Sequence, residues 1–204
     1  TLENWYTPFL GNLTVYAFNP TTNKKLMETR TAFLPPASQA FTYDDDGNLT
    51  NDGVWNYEWD AENRLWAMET TVGAVAGGMT RRRIEYKYDY LNRRVQKLVL
   101  ASSGSNWTID PTSSRRFLYD GWSLIAEFKV TSSAAIGDLL RSYAWGLDIA
   151  RSLSDAGGVG ALLQIADHTS GKTFLPCYDG NGYVVALINA DNGNVAAAYE
   201  WSPY

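Results

Sequence analysis

The chain has 204 residues, of which 45% are hydrophobic, 14% aromatic and 19% charged; that apolar load excludes a disordered chain and is enough to build a core. A net charge of -5 argues against nucleic acid as a direct partner, because phosphate binding needs clustered Lys and Arg that displace counterions. A single cysteine, Cys177, excludes an internal disulfide, and no run of about 20 apolar residues is present to form a transmembrane segment.

In chain order, Thr1-Leu2-Glu3-Asn4 shows no signal-peptide pattern, and the chain is expected to be a piece of a longer polypeptide. Asn12 to Phe18 reads as a first strand. Loops are expected at 19–25, 35–40, 72–80, 101–114 and 131–137, where Gly, Ser, Asn and Pro cluster. Between them, period-two alternation marks half-buried strands: Ile84, Tyr86 and Tyr88 against Arg83, Glu85 and Lys87, then Trp122 to Val130, then Tyr183 to Ile188. Arg81, Arg82 and Arg83 read as the solvated start of a strand. Residues 153–166 are too Gly-rich for a helix, and Asp191-Asn192-Gly193-Asn194 is a hairpin turn before Val195 to Trp201.

An internal motif recurs: an aromatic, Asp, two variable residues, then Gly or Asn. It begins at Tyr43-Asp44, Trp59-Asp60, Tyr88-Asp89 and Tyr178-Asp179, with a degenerate copy at Tyr119-Asp120-Gly121-Trp122. Steps of 16, 29, 31 and 59 residues separate the leading aromatics, near multiples of one hairpin. The chemistry predicts chain reversal. The aromatic closes a strand, the Asp carboxylate accepts a backbone N–H two residues on, and Gly47, Asn63, Asn92 or Gly182 takes positive φ.

Several such motifs interleaved with Tyr-x-Tyr-Asp strands resemble the YD repeats of the RHS family. The resemblance is strongest from Phe41 to Leu98 and continues through Tyr143 to Asp148 and Tyr178 to Gly180. It implies an all-β fold, a curved antiparallel sheet of consecutive hairpins, in one continuous ribbon over 1–204. Residues 41–198 would be repeats, and Tyr199 to Tyr204 the opening of the family's core segment. Members are similar in winding such ribbons into a hollow shell, which in bacterial toxins encloses a variable C-terminal effector; relatives such as teneurins serve adhesion. By that resemblance the chain is a non-enzymatic wall segment of a secreted or surface protein. Its partners would be the rest of its own polypeptide and the effector, and plug, self-cleavage residues and effector would lie beyond Tyr204.

The remaining chemistry reads as structural. His168, the only histidine, has no nucleophile motif around any Ser and is expected in a loop. Cys177 is expected as a small buried apolar residue. Asp44, Asp45 and Asp46 fail the EF-hand spacing, so no metal or cofactor is expected. Glu58, Asp60 and Glu62 are expected on one solvent face. Trp55, Tyr57 and Trp59 at alternate positions could stack sugar rings, which carries an alternative reading as an adhesive module for cell-surface glycans or proteins; cross-strand packing is the expected use.

Overall fold

A computed structural model describes residues 8–103, 106–153 and 155–201, so that Thr1 to Asn4 and Ser202 to Tyr204 lie outside the described residues. Strand dominates. The chain divides into two units, Thr1–Glu85 with Val99–Thr108, and Tyr86–Leu98 with Ile109–Tyr204.

The first unit opens with a two-stranded antiparallel ribbon, β1 (Phe9–Asn19) and β2 (Lys24–Leu34), paired in register from Phe9↔Leu34 to Asn19↔Lys24. Next come β3 (Thr42–Tyr43), β4 (Leu49–Asn51), β5 (Trp55–Trp59), β6 (Leu65–Thr70), a short helix α1 (Val72–Ala76) and β7 (Arg82–Tyr88), then β8 (Arg94–Ser103) and β9 (Asn106–Ile109). Strands β3 to β7 pair in chain order, all antiparallel. Period-two alternation sorts the faces: Tyr57, Met68 and Ile84 align on one, Asn56, Glu69 and Arg83 on the other.

The second unit continues the pattern with β10 (Arg115–Asp120), β11 (Ser123–Val130), β12 (Ile136–Trp145), β13 (Leu162–Asp167), β14 (Lys172–Tyr178), β15 (Val184–Asn189) and β16 (Val195–Ala198). Its order is β8-β10-β11-β12-β13-β14-β15-β16, each strand antiparallel to its neighbours. One transverse row alternates in charge, Glu127↔Arg141↔Asp167↔Lys172, and the next is Tyr143↔Ile165↔Phe174↔Asn189. Opposite charges and apolar rings across neighbouring strands are what stabilise a sheet face.

Few residues are fully enclosed: the buried apolar ones are Ala67, Ala74, Leu98, Val99, Ala126, Val130 and Ala161. Most large rings are half-buried or exposed, so backbone pairing and cross-strand contacts hold the sheets more than a thick core does.

Two of the expected loops hold elements of their own. Residues 72–80 contain α1, because the Thr71 hydroxyl accepts the Ala74 N–H at 3.0 Å and caps a turn that the glycines hide. Residues 101–114 contain the end of β8 and all of β9. Cys177 is exposed rather than buried, and in the strand register it stands opposite the small side chain of Ala186.

Candidate functional site

Five turns share one hydrogen-bond pattern. Asp44 Oδ1 accepts from the N–H groups of Asp46 and Asn48 at 3.1 and 2.8 Å. Asp60 accepts from Glu62 and Arg64 at 2.9 and 3.0 Å, and Asp89 from Leu91 and Arg93 at 2.9 and 3.0 Å. Asp179 accepts from Asn181 and Tyr183, both at 2.9 Å, and Asp148 from Ala150 and Ser152 at 3.0 and 3.2 Å. In each, the residue three after the Asp has positive φ: Gly47 85°, Asn63 57°, Asn92 61°, Arg151 60° and Gly182 82°. The carboxylate thereby satisfies amides that a tight reversal strands, and the left-handed residue completes a three-residue hairpin loop.

Four of these carboxylates, Asp44, Asp60, Asp89 and Asp148, are shifted toward the ionised form. At Asp44 the Asn48 side chain contributes most, and its carboxyl lies below the usual range. At Asp60, Asp89 and Asp148 desolvation pushes upward, but the summed bonds from backbone N–H groups and from Arg64, Arg93 or Ser152 outweigh it, so the net direction is down. Asp60 and Asp89 also receive the guanidinium groups of Arg64 at 2.8 Å and Arg93 at 2.7 Å.

A second device links successive turns. Trp59 donates its indole N–H to the Leu49 carbonyl at 2.8 Å, Tyr119 its hydroxyl to Arg94 at 3.1 Å, and Trp201 its indole N–H to Val184 at 2.8 Å. Each acceptor stands five residues after a turn aspartate, Asp44, Asp89 and Asp179 respectively. Trp145 and Tyr178 make the same kind of bond to Leu124 and Leu162. Tyr43 and Tyr88 precede their aspartates at the ends of β3 and β7.

Asp120 departs from the pattern. It is paired with Ser123 at the end of β10, and Gly121-Trp122 alone form the turn, so its carboxylate has no stranded amide to cap. It lines a cavity of about 730 Å³ with Trp122, Ser123, Ile125, Tyr143 and Trp145, closed on one side by the loop carrying Leu153 and Gly158. Trp55, Tyr57 and Trp59 are half-buried. Tyr57 donates to Asp52 at 2.8 Å, and burial, then that carboxylate, push its hydroxyl up to about 12. The polar edges of Tyr57 and Trp59 are thus engaged within the chain.

Other charged groups knit strands. Arg83, with 15% of its side chain exposed, reaches Glu58 at 2.5 Å, Glu85 at 2.9 Å and Glu69 at 3.7 Å. It is therefore the hub of a carboxylate cluster rather than a solvated strand end, and Glu58, Asp60 and Glu62 divide among this cluster, a turn and Arg64. His168 Nε2 lies 2.9 Å from Ser142 Oγ, a nucleophile and base pairing absent from any local sequence motif. Strand alternation puts Ser142 on the sheet side opposite Arg141, Tyr143 and Ile165, and neither it nor His168 lines the cavity beside the Gly121 turn. Among the described residues no cluster of three His, Cys, Asp or Glu side chains is placed to hold a metal ion.

No family model matches the chain. It is similar to tRNA nucleases of Bacillus. The tRNA3(Ser)-specific nuclease WapA of Bacillus spizizenii is 28% identical over 167 residues. The tRNA nuclease WapA of Bacillus subtilis strain 168 is 26% identical over 166 residues, and the tRNA(Glu)-specific nuclease WapA of Bacillus subtilis subspecies natto is 27% identical over 166. Each match covers 81% of this chain and 6% of the relative, so the chain spans a small fraction of those proteins' length.

The Asp148 turn is the element that the sequence conceals. Its aromatic, Trp145, stands three residues before the Asp instead of next to it, and its left-handed residue is Arg151 rather than Gly or Asn. A usable signal was present in spacing: Asp148 falls inside the longest gap between motifs, 31 residues before Asp179.

Proposed function

We propose that the chain is a non-catalytic wall segment of an RHS/YD-repeat protein, part of a secreted or surface-exposed shell that encloses a C-terminal effector polypeptide. The observation that carries this reading is the five-fold recurrence of one aspartate-capped turn, with aromatic tethers that tie the return strands after Asp44, Asp89 and Asp179 to a ring farther along the chain. Such an arrangement extends a sheet by repetition, which suits a wall. It gathers no acid, base and electrophile around one cavity, which catalysis requires. The relatives are named as nucleases of tRNA, and the chain matches 6% of them; the cleaving residues would then reside in another part of such a polypeptide. The net charge of -5 supports that division of labour, since an RNA-cleaving surface needs positive charge.

Two measurements test the proposal. The purified chain incubated with total tRNA is expected to leave it intact; cleavage abolished by His168→Ala would overturn the reading. In the parent polypeptide, the C-terminal part is expected to resist protease until this segment is opened by Asp89→Ala with Gly182→Val. Equal digestion before and after those changes would equally sink it.

A further inference from the structure

We infer that the cavity beside the Gly121 turn binds a cation, specifically an arginine or lysine side chain carried by a basic polypeptide segment. The inference stands whether or not the chain encloses an effector, because the cavity lies within one unit and its argument is local.

Its charge and lining come first. Asp120 is the one charged group among the described lining residues, and no ion pair or hydrogen bond engages its side chain among them. Arg93, which reaches the neighbouring Gly121 carbonyl, is committed elsewhere: it bonds Asp89 at 2.7 Å and lies 5.2 Å from the Tyr119 ring centre. Three rings, Trp122, Tyr143 and Trp145, line the cavity together with Asp120. Trp145 gives its N–H to Leu124, and Tyr143 gives its hydroxyl to Glu127, so neither donor is free for a ligand. Trp122 is 71% exposed. A neutral sugar needs many hydrogen-bonding groups around its rim, and only Asp120 and Ser123 offer side chains of that kind here. A cation needs what is present, π faces and a carboxylate.

The chain itself uses this chemistry repeatedly. Arg81 lies 4.8 Å from the Trp107 ring, Arg83 5.3 Å from Trp66 and Arg94 5.1 Å from Tyr86. The Asp89–Arg93–Tyr119 group is the complete form: carboxylate, guanidinium, ring. At the cavity the Asp120 carboxylate and three rings share one lining, while the Arg93 guanidinium at its edge is held by Asp89 and the Gly121 carbonyl. A volume of about 730 Å³ exceeds what one such group fills, which favours a side chain entering with its neighbouring backbone over a free small cation. The net charge of -5 assists the approach of a basic partner.

The test titrates the full chain with a blocked tetra-arginine peptide and, separately, with a neutral tetrasaccharide, following tryptophan fluorescence and heat. Saturable peptide binding is expected, weakened about tenfold by Trp122→Ala and about fivefold by Asp120→Asn, largely retained in Trp122→Phe and falling with salt. The tetrasaccharide is expected to produce no saturable signal. Absence of saturable peptide binding at millimolar concentration would overturn the inference, as would peptide affinity indifferent to both variants, or sugar binding that depends on Trp122 and ignores salt. Unchanged melting temperatures of the variants, both at exposed positions, keep each outcome interpretable.

Discussion

The indole nitrogen of Trp59 lies 2.8 Å from the carbonyl oxygen of Leu49, joining the residue before one turn aspartate to the strand that leaves the previous turn. Leu49 follows Asp44 by five residues, as Arg94 follows Asp89 and Val184 follows Asp179, and each is met by a ring donor from farther along the chain. Local turn chemistry fixes where the chain reverses. The tethers add contacts that adjacent sequence cannot supply.

Replacing Trp59 by Phe keeps most of the ring and removes only the donor. The expected loss is about 1 kcal/mol, that of one half-buried hydrogen bond with its acceptor left in place. Urea unfolding should show a lower midpoint with an unchanged slope. A midpoint equal to that of the parent would mean that the bond contributes nothing net.

The turn aspartates are not equivalent, and Asp89 and Asp120 make the contrast. Asp89 accepts two backbone N–H groups and a guanidinium; Asp120 has no amide to cap. Asp89→Ala should lower the melting temperature by several degrees, whereas Asp120→Ala should leave it nearly unchanged. Equal effects at the two positions would show that the motif acts through something other than its carboxylate.

How much of this was legible in the sequence follows from where each signal is stored. Asp44, Asp60, Asp89 and Asp179 announce their reversals because the turn's needs, an acceptor and a left-handed residue, are met within five consecutive positions. Strand alternation around Ile84, Tyr86 and Tyr88 is equally local. Asp120 misled because the motif's first half was present while Gly121-Trp122 had shortened the loop to two residues, moving the carboxylate out of capping range. Ser142 and His168, the Arg83 cluster and the cavity under Trp122 unite residues from different strands, and their meeting depends on register. Period-two patterning says which residues share a face, not which strand positions stand opposite each other.

Left-handed positions give a graded series. A Cβ at Gly47 meets nothing within 4 Å, while at Gly182 it would lie 2.6 Å from Val159 Cγ1; both residues have φ above 80°. Gly47→Ala should therefore cost about 1 kcal/mol from backbone strain alone, and Gly182→Ala distinctly more. At the Asp148 turn the strain already exists, since Arg151 holds φ 60° as an exposed, branched-free but Cβ-bearing residue. Arg151→Gly is expected to stabilise by roughly 0.5–1 kcal/mol. Chemical denaturation of the three variants would expose an incorrect assignment through a reversed order.

Acid should unfold the chain through these same carboxylates. Folding lowers the carboxyls of Asp44, Asp60, Asp89 and Asp148 below their ordinary range, and Asp167 is lowered to about 2, chiefly by the Thr169 hydroxyl. A carboxyl depressed by folding contributes its stability above the unfolded value and loses it as pH falls through the folded one. The melting temperature is therefore expected to hold from neutral pH to about pH 5 and to drop between about pH 4 and pH 2. Asn at positions 60, 89 and 148 retains an amide acceptor but cannot titrate. The triple variant Asp60→Asn, Asp89→Asn, Asp148→Asn should be less stable at neutral pH and show a shallower acid limb, with the two curves converging at the acid end, once the aspartates are protonated. Parallel curves over the whole range would place the acid sensitivity elsewhere in the chain.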